Sequence, residues 1–500
     1  LVGYLNCNYL SSLDLAVIHG KLEKPSYYDP LLELLAERGN QHEKAYLDHL
    51  KKSGFEYVSI EGIEISDASV KATCEAMNSG VPIIVQAALR SENFVGRADI
   101  LKRIEKPSKF GSWSYEIIDT KLSRDTKGGS ILQLCLYADL LAEIQGFPPE
   151  HIYIVAPWSD FEPQIFRFDD YSAYYRKVKN AALNAIKLGT FEQTYPDPKS
   201  HCDICRWKNN CDLRRRNDDH LCLVANISKN QISELKGNGI ETLKALAELP
   251  SPIPLSPKKG SIVTYEKSKA QAHAQMESRK AGELKYKLKQ LIPNVGLCAL
   301  PEPSKGDIFF DIEGDPFAGE HGLEYLLGYA YYENEALKYK SLWGFTRADE
   351  KKIFEQFIDD AYSRREKYPD MHIYHFAPYE PSALKRLMGR YATREEEVDN
   401  LLRGEVFVDL LSIVKNAMYA GVESYSIKKL EQFFKFQRKI SLHDANVALT
   451  KLTSCIELND IQHINEATKQ VVESYNADDC FSTYELRNWL ENLRAELIEN

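Results

Sequence analysis

Residues 115–137 read Tyr-Glu-Ile-Ile-Asp-Thr-Lys-Leu-Ser-Arg-Asp-Thr-Lys-Gly-Gly-Ser-Ile-Leu-Gln-Leu-Cys-Leu-Tyr, and this stretch combines two local patterns. Its first residues alternate and include β-branched side chains, which predicts a β-strand. Gly128 and Gly129 predict a turn after the strand. Leu132, Leu136 and Leu140 recur at helical spacing, so we expect a helix to follow the turn.

Asp119 and Lys121 lie two residues apart on the predicted strand, so their side chains share one face. A carboxylate in this position can hold a divalent metal, and a neighbouring ammonium can stabilise charge that builds on a phosphate under attack. Gln133 and Tyr137 are one helical turn apart and should face the same way. For Asp119 and Lys121 alone, the alternative is an ordinary surface ion pair.

Two further polar residues upstream extend this pattern. Asp99 lies in the apolar segment 94–101, which predicts a second strand, and His42 lies in a predicted helix. A histidine and two carboxylates, His42, Asp99 and Asp119, form a plausible ligand set for Mg²⁺ or Mn²⁺.

The order of these motifs resembles the RecB-like branch of the PD-(D/E)xK nucleases: a histidine, Gly-x-x-Asp, Asp-x-Lys and Gln-x-x-x-Tyr. The resemblance implies that His42, Asp99 and Asp119 bind the metal and that Lys121 is the catalytic lysine. It also implies that Gln133 and Tyr137 are the residue pair specific to this branch.

The bulk composition limits the function classes. A chain of 500 residues should form about two or three domains. Its 73 acidic and 63 basic residues give a net charge of −10, so any nucleic-acid site must be a local cleft. We expect a soluble, cytoplasmic protein without membrane contact, because the sequence has no membrane-length apolar run and no secretion signal. No Gly-x-x-x-x-Gly-Lys-Ser/Thr loop is present, which argues against an ATPase.

Three cysteines, Cys202, Cys205 and Cys211, are closely spaced, and Cys7 is the best candidate for a fourth ligand. Four thiolates suit either a structural zinc ion or an iron–sulfur cluster. The pattern of one distant Cys plus C-x2-C-x5-C resembles the iron–sulfur subgroup of these nucleases, which includes the CRISPR-associated RecB-like exonucleases. That resemblance implies a 4Fe–4S cluster on these four residues.

The segment 216–295 has a different composition. Residues 226–246 predict two short helices joined by a glycine turn, which resembles a DNA-binding helix-hairpin-helix; a plain helical spacer is the alternative. A proline-rich connector at 250–257 follows. A basic helix is then predicted over 266–290, and it could follow a phosphate backbone or present a solvated face.

The carboxy-terminal part delivers acids from separate predicted strands and helices. Asp311 and Glu313 end one strand, Glu380 begins a helix, Asp409 ends a further strand, and Asp479 lies where the last helix is predicted to open. Such a set can build a two-metal phosphodiesterase site.

This set resembles the DEDD exonucleases of RNase H-like fold, and the spacing Tyr475-x-x-x-Asp479 resembles their tyrosine-type third motif. The resemblance implies that Asp311, Glu313, Glu380 and Asp479 bind metal and that Tyr475 orients the attacking water. The second motif departs from the family, because Glu380 stands where Asp is usual. An inactive RNase H-like domain is therefore an alternative.

As a whole, the chain resembles the bacterial RecB-like nuclease family that joins both domain types. We expect an α/β protein with two mixed-sheet nuclease domains joined by a helical linker: residues 1–215 for the RecB-like PD-(D/E)xK domain with its iron–sulfur cluster, 216–295 for the linker and 296–500 for the RNase H-like DEDD 3′–5′ exonuclease domain. The implied function is metal-dependent hydrolysis of DNA from single-stranded ends in repair or defence. A superfamily 1 helicase is the implied partner. The alternatives are a non-catalytic nucleic-acid-binding adaptor for a helicase and an RNA-directed nuclease.

Overall fold

The structure is a computed structural model of the 500-residue chain. It describes all residues except 27–29, 63, 123–125, 127, 189–193, 317, 319–320, 458–459 and 500. The chain divides into two compact units, Leu1–Cys211 and Asp212–Asn500. None of the helices in the described residues has both the length and the apolar character needed to cross a membrane.

The first unit is built around a six-stranded sheet with its strands in sequence order. The strands are β1 (Tyr57–Ser59), β2 (Ile83–Arg90), β3 (Val95–Ile104), β4 (Ser114–Thr120), β5 (His151–Val155) and β6 (Gln164–Arg167). The pairs β1–β2 and β4–β5 are parallel, and the other neighbours are antiparallel. The sheet is therefore mixed, as the sequence predicts.

Helices cover both faces of this sheet. On one face, α5 (Gly128–Gln145) packs its leucines against the strands. On the other face, Tyr46 and Leu50 of α3 (Pro30–Lys52) pack against the sheet. Strand β4 is consequently buried on both faces, and six of its seven residues are buried. The remaining helices of this part are α1 (Val2–Asn6), α2 (Asn8–Ile18), α4 (Asp67–Asn78), α6 (Phe168–Leu188) and α7 (Lys208–Asn217), which contains the division between the units.

The second unit contains a five-stranded sheet in the order β10-β9-β8-β11-β12. The strands are β8 (Ile308–Asp315), β9 (Leu323–Glu333), β10 (Ala336–Trp343), β11 (Ile373–His375) and β12 (Phe407–Asp409). Strands β8, β9 and β10 form an antiparallel meander, and β11 and β12 continue the sheet in parallel with β8. This second sheet is also mixed, so the predicted α/β class with two mixed sheets is confirmed.

The second sheet is also enclosed between helices. Phe310 of β8 stacks on Phe357 of α11 (Arg347–Lys367) on one face. On the other face, Phe309 packs with Leu486 and Leu490 of the last helix. The helices of this unit that follow α7 are α8 (Lys229–Gly237), α9 (Leu243–Ala247), α10 (Ile262–Ala281), α11, α12 (Tyr379–Tyr391), α13 (Glu395–Arg403), α14 (Leu410–Ala417), α15 (Ile427–Phe434), α16 (Leu442–Glu457) and α17 (Glu466–Glu499).

The predicted basic helix over 266–290 is wrong at its carboxy-terminal end. Helix α10 stops at Ala281, because Gly282 adopts a left-handed conformation with φ of 70°. Residues Tyr286–Leu288 instead form β7, which pairs antiparallel with β13 (Met418–Ala420). The alternating apolar side chains of Leu284, Tyr286 and Leu288 carried this strand signal, which the surrounding lysines obscured.

A buried ion pair fixes α17 to the beginning of β8. Arg487 Nη1 donates to Asp307 Oδ2 over 2.7 Å, and Asp307 also accepts from the backbone amides of Ser304 and His372. The guanidinium lies over the ring of Phe309 at 5.0 Å. Because both charged side chains are almost fully buried, loss of either partner should cost about 3–5 kcal/mol of stability.

Candidate active sites

Adjacent strands bring the acids of the first unit together. Ile100 on β3 pairs with Ile118 on β4, which places Asp99 beside Asp119 on the neighbouring strand. Lys121 follows directly after β4, and its backbone amide donates to the carbonyl of Val155 on β5. The Asp-x-Lys motif therefore begins on a buried strand and ends at the sheet edge.

Asp119 is a buried carboxylate with unsatisfied oxygens. Its side chain is only 1% exposed, and neither oxygen accepts a well-directed hydrogen bond. The Lys121 ammonium lies 2.8 Å from Oδ2 as an ion-pair contact. Burial and the charge of Asp99 raise the pKa of Asp119 to about 7, against the opposing effect of Lys121. An added cation would relieve this penalty, so the carboxylate fits a metal site.

Asp99 and His42 both have polar partners within the protein. Asp99 Oδ2 accepts from the backbone amide and the hydroxyl of Thr120, both over 2.9 Å. Buried His42, on α3, lies with Nε2 3.0 Å from the carbonyl of Val155. Among the described residues, three metal-ligating atoms lie within 4.8 Å of one another only in the second unit. Asp99 and Asp119 thus lie side by side on neighbouring strands. The ligand atoms of His42, Asp99 and Asp119 do not all lie within 4.8 Å of one another.

Gln133 and Tyr137 form a hydrogen-bonded pair on α5. The Gln133 amide donates to the Tyr137 hydroxyl over 2.8 Å. Burial raises the pKa of Tyr137, and the charges of Asp119 and Asp99 raise it further, so the phenol lies near both acids. A Cβ added at Gly96 would lie 2.5 Å from the Tyr137 ring, which explains the glycine of the Gly-x-x-Asp motif.

Sequence reasoning missed a carboxylate next to His42. Glu43 Oε1 accepts from the Gln86 amide over 2.7 Å. Burial raises the pKa of Glu43, with a further contribution from the charge of Asp99 and an opposing one from Lys121. Glu43 therefore lies close to the predicted catalytic residues. Its position directly after His42 was the available signal, although nothing in the sequence indicated that Gln86 would hold it.

The four predicted cluster cysteines line one cavity. Cys7 lies between α1 and α2, Cys202 and Cys205 lie in and after a 3₁₀ helix (Ser200–Ile204), and Cys211 lies on α7. Cys202 and Cys211 therefore lie on short helices, and Cys205 lies in the connection between them. No three of these four sulfur atoms lie within 4.8 Å of one another.

The second unit contains a compact acidic cluster. Asp311 and Glu313 lie two residues apart on β8, and Asp479 lies on α17. One ligand oxygen from each of these residues lies within 4.8 Å of the other two. Strand β8 and helix α17 thus bring three carboxylates close together.

Burial and mutual repulsion shift the pKa values in this cluster. Burial raises the pKa of Asp311 well above its ordinary value, and the charges of Asp479, Glu313 and Glu380 add to the effect. Burial and the charge of Asp479 raise the pKa of Glu313 to about 8, while Lys428 opposes the shift. Carboxylates crowded in this way favour a bound divalent cation.

Asn476, which sequence reasoning also missed, positions the first of these acids. Its amide donates to Asp311 Oδ2 over 2.7 Å, and its own oxygen accepts from the Tyr339 hydroxyl over 2.8 Å. A Cβ added at Gly328 would lie 1.7 Å from Asn476 Oδ1, so glycine is required there for the asparagine to reach the strand. These contacts join β8, β9 and β10 to α17.

Two cations approach the acid cluster from α15 and the residues that follow it. Arg438 Nη2 donates to Asp479 Oδ1 over 2.6 Å. Lys428 Nζ lies 3.9 Å from Asp479 Oδ2 and donates to the Tyr475 hydroxyl over 2.6 Å. Tyr475 itself lies in the third turn of α17, which begins at Glu466, earlier than predicted. Three side chains therefore surround the outer part of the site, Tyr475, Lys428 and Arg438, and the last two were not predicted.

Glu380 and Asp409 have different surroundings. Glu380 is buried at the start of α12, 3.5 Å from His375 Nδ1, and is not part of the three-acid group. Burial raises its pKa, His375 opposes the shift, and the charge of Asp409 adds to it. Asp409 Oδ1 instead accepts from the backbone amides of Ala377 and Leu411, so it caps α14. Of these two acids, Glu380 is the one that has a buried carboxylate oxygen without a hydrogen-bond partner.

Comparisons with known proteins agree with this division of the chain. Residues 14–212 match the family model for the PD-(D/E)XK nuclease superfamily. Residues 308–491 match the family model for the RNase H superfamily, named RNase_H_2. Comparison with curated proteins and with solved structures gave no match.

Both matched families support a metal-dependent nuclease, a hydrolase that acts on phosphodiester bonds of nucleic acid. The acidic group of Asp311, Glu313 and Asp479 fits the divalent metal that such domains use. The chain therefore carries a PD-(D/E)XK nuclease superfamily domain in its amino-terminal part and an RNase H superfamily domain in its carboxy-terminal part.

Proposed function

We propose that this protein is a metal-dependent DNA exonuclease that acts on single-stranded ends in repair or defence. The observation that carries the proposal is the convergence of Asp311, Glu313 and Asp479 within 4.8 Å. The tyrosine four residues before Asp479 supports an exonucleolytic mode, because Tyr475-x-x-x-Asp479 resembles the third motif of the tyrosine-type DEDD exonucleases.

The residues of both sites suit Mg²⁺ or Mn²⁺. In the second unit, Asp311, Glu313 and Asp479 would hold the ion, with Glu380 as a further ligand. In the first unit, the unsatisfied oxygens of Asp119 support binding there, with Asp99 and His42 as the other proposed ligands. When bound, the metal supplies Lewis acidity and a low pKa for water.

The chain's own residues have distinct proposed roles. Tyr475 would orient the attacking water in the carboxy-terminal site, since its hydroxyl is fixed by Lys428 next to Asp479. Lys121 would stabilise the charge on the phosphate in the amino-terminal site; its side chain is 27% exposed and can reach a substrate. Gln133 and Tyr137 would hold the substrate or Lys121 in place.

We further propose that Cys7, Cys202, Cys205 and Cys211 hold a 4Fe–4S cluster. All four line one cavity. Zinc takes the same four thiolates, so the choice of a cluster rests on the resemblance of Cys7 plus C-x2-C-x5-C to the iron–sulfur subgroup of these nucleases. A superfamily 1 helicase as partner rests on the family resemblance.

Two observations favour a second candidate, a non-catalytic nucleic-acid-binding adaptor. Arg438 already neutralises Asp479, and glutamate replaces the usual aspartate at Glu380. An adaptor would bind nucleic acid and leave it intact.

Cleavage of end-labelled single-stranded and double-stranded DNA and RNA, with Mg²⁺ or Mn²⁺, tests these functions. The proposal expects stepwise shortening of single-stranded DNA. Asp311→Ala and Lys121→Ala should each reduce it, by impairing the carboxy-terminal and the amino-terminal site respectively. Binding without cleavage by wild type would favour the adaptor. Preferential cleavage of RNA would identify an RNA-directed nuclease.

A further inference from the structure

A pocket lies between α8, α10 and the two-stranded β7–β13 ribbon. Its lining contains none of the acids of the two candidate active sites. Its volume is about 380 Å³, within the range of about 300–1,000 Å³ that is usual for small-molecule sites. Three lysines contribute to its lining, Lys267, Lys289 and Lys415. Among the described residues that line it, none is acidic.

The three lysines bring positive charge to the pocket without a carboxylate in its described lining that offsets it. None of the three makes an ion pair with a described carboxylate. By contrast, Lys280 pairs with Glu277 at 3.2 Å nearby on α10. Burial, reinforced by the charge of Lys267, lowers the pKa of Lys289 to about 8, so these two ammonium groups repel each other. A bound anion would remove this repulsion.

The walls of the pocket are fixed by hydrogen bonds between separate elements. Gln271 on α10 donates to the carbonyl of Ala420 on β13 over 2.8 Å and accepts from the Tyr425 hydroxyl over 2.7 Å. Gln231 on α8 donates to the Ser268 hydroxyl over 3.0 Å. The cavity is therefore built by the fold and is not a gap between mobile side chains.

Lys289 is held in a defined place at this pocket. Its ammonium lies 4.2 Å from the centre of the Tyr419 ring and donates to the carbonyl of Lys415. Lys267 and Lys415 are exposed at the pocket and can move to meet a ligand. One fixed and two adaptable cations suit a group that carries several negative oxygens.

We propose that this pocket binds a phosphate group of a nucleotide-sized ligand. Three ammonium groups match the charge and the acceptor oxygens of a phosphate better than those of a single carboxylate. The phosphate could belong to a nucleic-acid strand or to a free nucleotide, which share this chemistry. The pocket contains none of the proposed catalytic residues, so the inference goes beyond the nuclease activity.

Direct binding to the full chain in EDTA tests this site without cleavage. The probes are inorganic pyrophosphate and ATP, followed by calorimetry, and a fluorescein-labelled 5′-phosphorylated oligo(dT), followed by anisotropy. The variant Lys267→Gln/Lys415→Gln changes two exposed side chains, and unchanged thermal unfolding verifies its fold. Lys280→Gln is the matched control, because Lys280 lies on the same helix outside the pocket.

The double variant should bind at least one probe about tenfold more weakly than wild type, whereas Lys280→Gln should not change the affinity. Weakening for all three probes assigns the site to free nucleotides, and weakening for oligo(dT) alone assigns it to a nucleic-acid strand. Equal affinities of double variant and wild type for every probe would overturn the proposal. If the protein binds pyrophosphate through these lysines but cleaves no nucleic acid, the phosphate site stands and the proposed nuclease function is refuted.

Discussion

Lys428 donates a hydrogen bond to the hydroxyl of Tyr475 over 2.6 Å, so a positively charged ammonium lies against the tyrosine's oxygen beside the acid cluster. The same ammonium lies 3.9 Å from Asp479. The contact links α15 to α17 beside the three clustered carboxylates.

The first prediction concerns this contact. Lys428→Gln should lower the kcat of the carboxy-terminal activity by about 10–100-fold, because Tyr475 would lose the partner that fixes its hydroxyl. Tyr475→Phe should cause a comparable loss. The measurement is single-strand shortening in a Lys121→Ala background, where we expect the amino-terminal activity to be strongly reduced. Full activity in both variants would exclude a role for the Lys428–Tyr475 contact.

The second prediction concerns the amino-terminal site, assayed in an Asp311→Ala background. Asp119→Ala should abolish the remaining cleavage by removing a metal ligand, and Lys121→Ala should reduce it by about 100-fold or more by removing charge stabilisation. DNA binding should persist in both variants, as measured by anisotropy. Unchanged cleavage in the two variants would refute this site.

The third prediction is a pH dependence of stability without metal. The pKa of Glu313 is about 8 in the folded protein against an ordinary 4.5. The folded state therefore retains a proton that the unfolded chain releases, and stability should fall as pH rises from about 4.5 to 8. Thermal unfolding in EDTA measures this slope.

Glu313→Gln is the control for that slope. It should unfold at a temperature several degrees higher than wild type at pH 8 and should differ least near pH 4.5. Added Mg²⁺ should raise the midpoint of wild type more than that of the variant, because the ion replaces the lost proton. If the stability of Glu313→Gln fell with pH as steeply as that of wild type, the slope could not be assigned to Glu313.

The fourth prediction concerns the cysteines. Protein purified without oxygen should be brown, and Cys202→Ser, Cys205→Ser or Cys211→Ser should remove the visible absorption. Loss of the cluster should also loosen the amino-terminal unit, because Cys7 would no longer be tied to the residues near 211. Cys298→Ser is a suitable control, since Cys298 is exposed and lies in the other unit. Colourless protein with stoichiometric zinc would disprove the iron–sulfur proposal.

The fifth prediction separates Glu380 from Asp409 as the acid of the second motif. Glu380→Asp should retain measurable carboxy-terminal activity, whereas Glu380→Ala should abolish it. Asp409→Ala should act chiefly on stability, by about 1 kcal/mol, because Asp409 caps α14. Activity is measured in the Lys121→Ala background and stability by thermal unfolding. Full activity in Glu380→Ala together with its loss in Asp409→Ala would reverse the assignment.

The sequence predicted the features that depend on local pattern. The strand with Asp119, the helix with Gln133 and Tyr137, and the strand with Asp311 and Glu313 all have the predicted type. In each case, apolar periodicity and the adjacent turn residues determine the local structure.

The residues that were missed depend on contacts between distant parts of the chain. Asn476 reaches Asp311 from 165 positions away, and Arg438 reaches Asp479 from 41 positions away. An isolated asparagine or arginine carries no periodic signal that would reveal such a partner. The end of α10 was missed for a different reason, because the lysines around Tyr286 suggested a solvated helix where the chain forms a strand.

The anchored position of α17 has a consequence for when the carboxy-terminal site comes into existence. Asp311 and Glu313 are translated more than 150 residues before Asp479, and Arg487, which fixes α17 on Asp307, comes later still. While the ribosome is still adding residues 316–478, only two of the three clustered acids are present. Under the proposed function, cleavage at this centre would therefore have to await synthesis of α17, and a chain that stops before this helix would lack the third carboxylate.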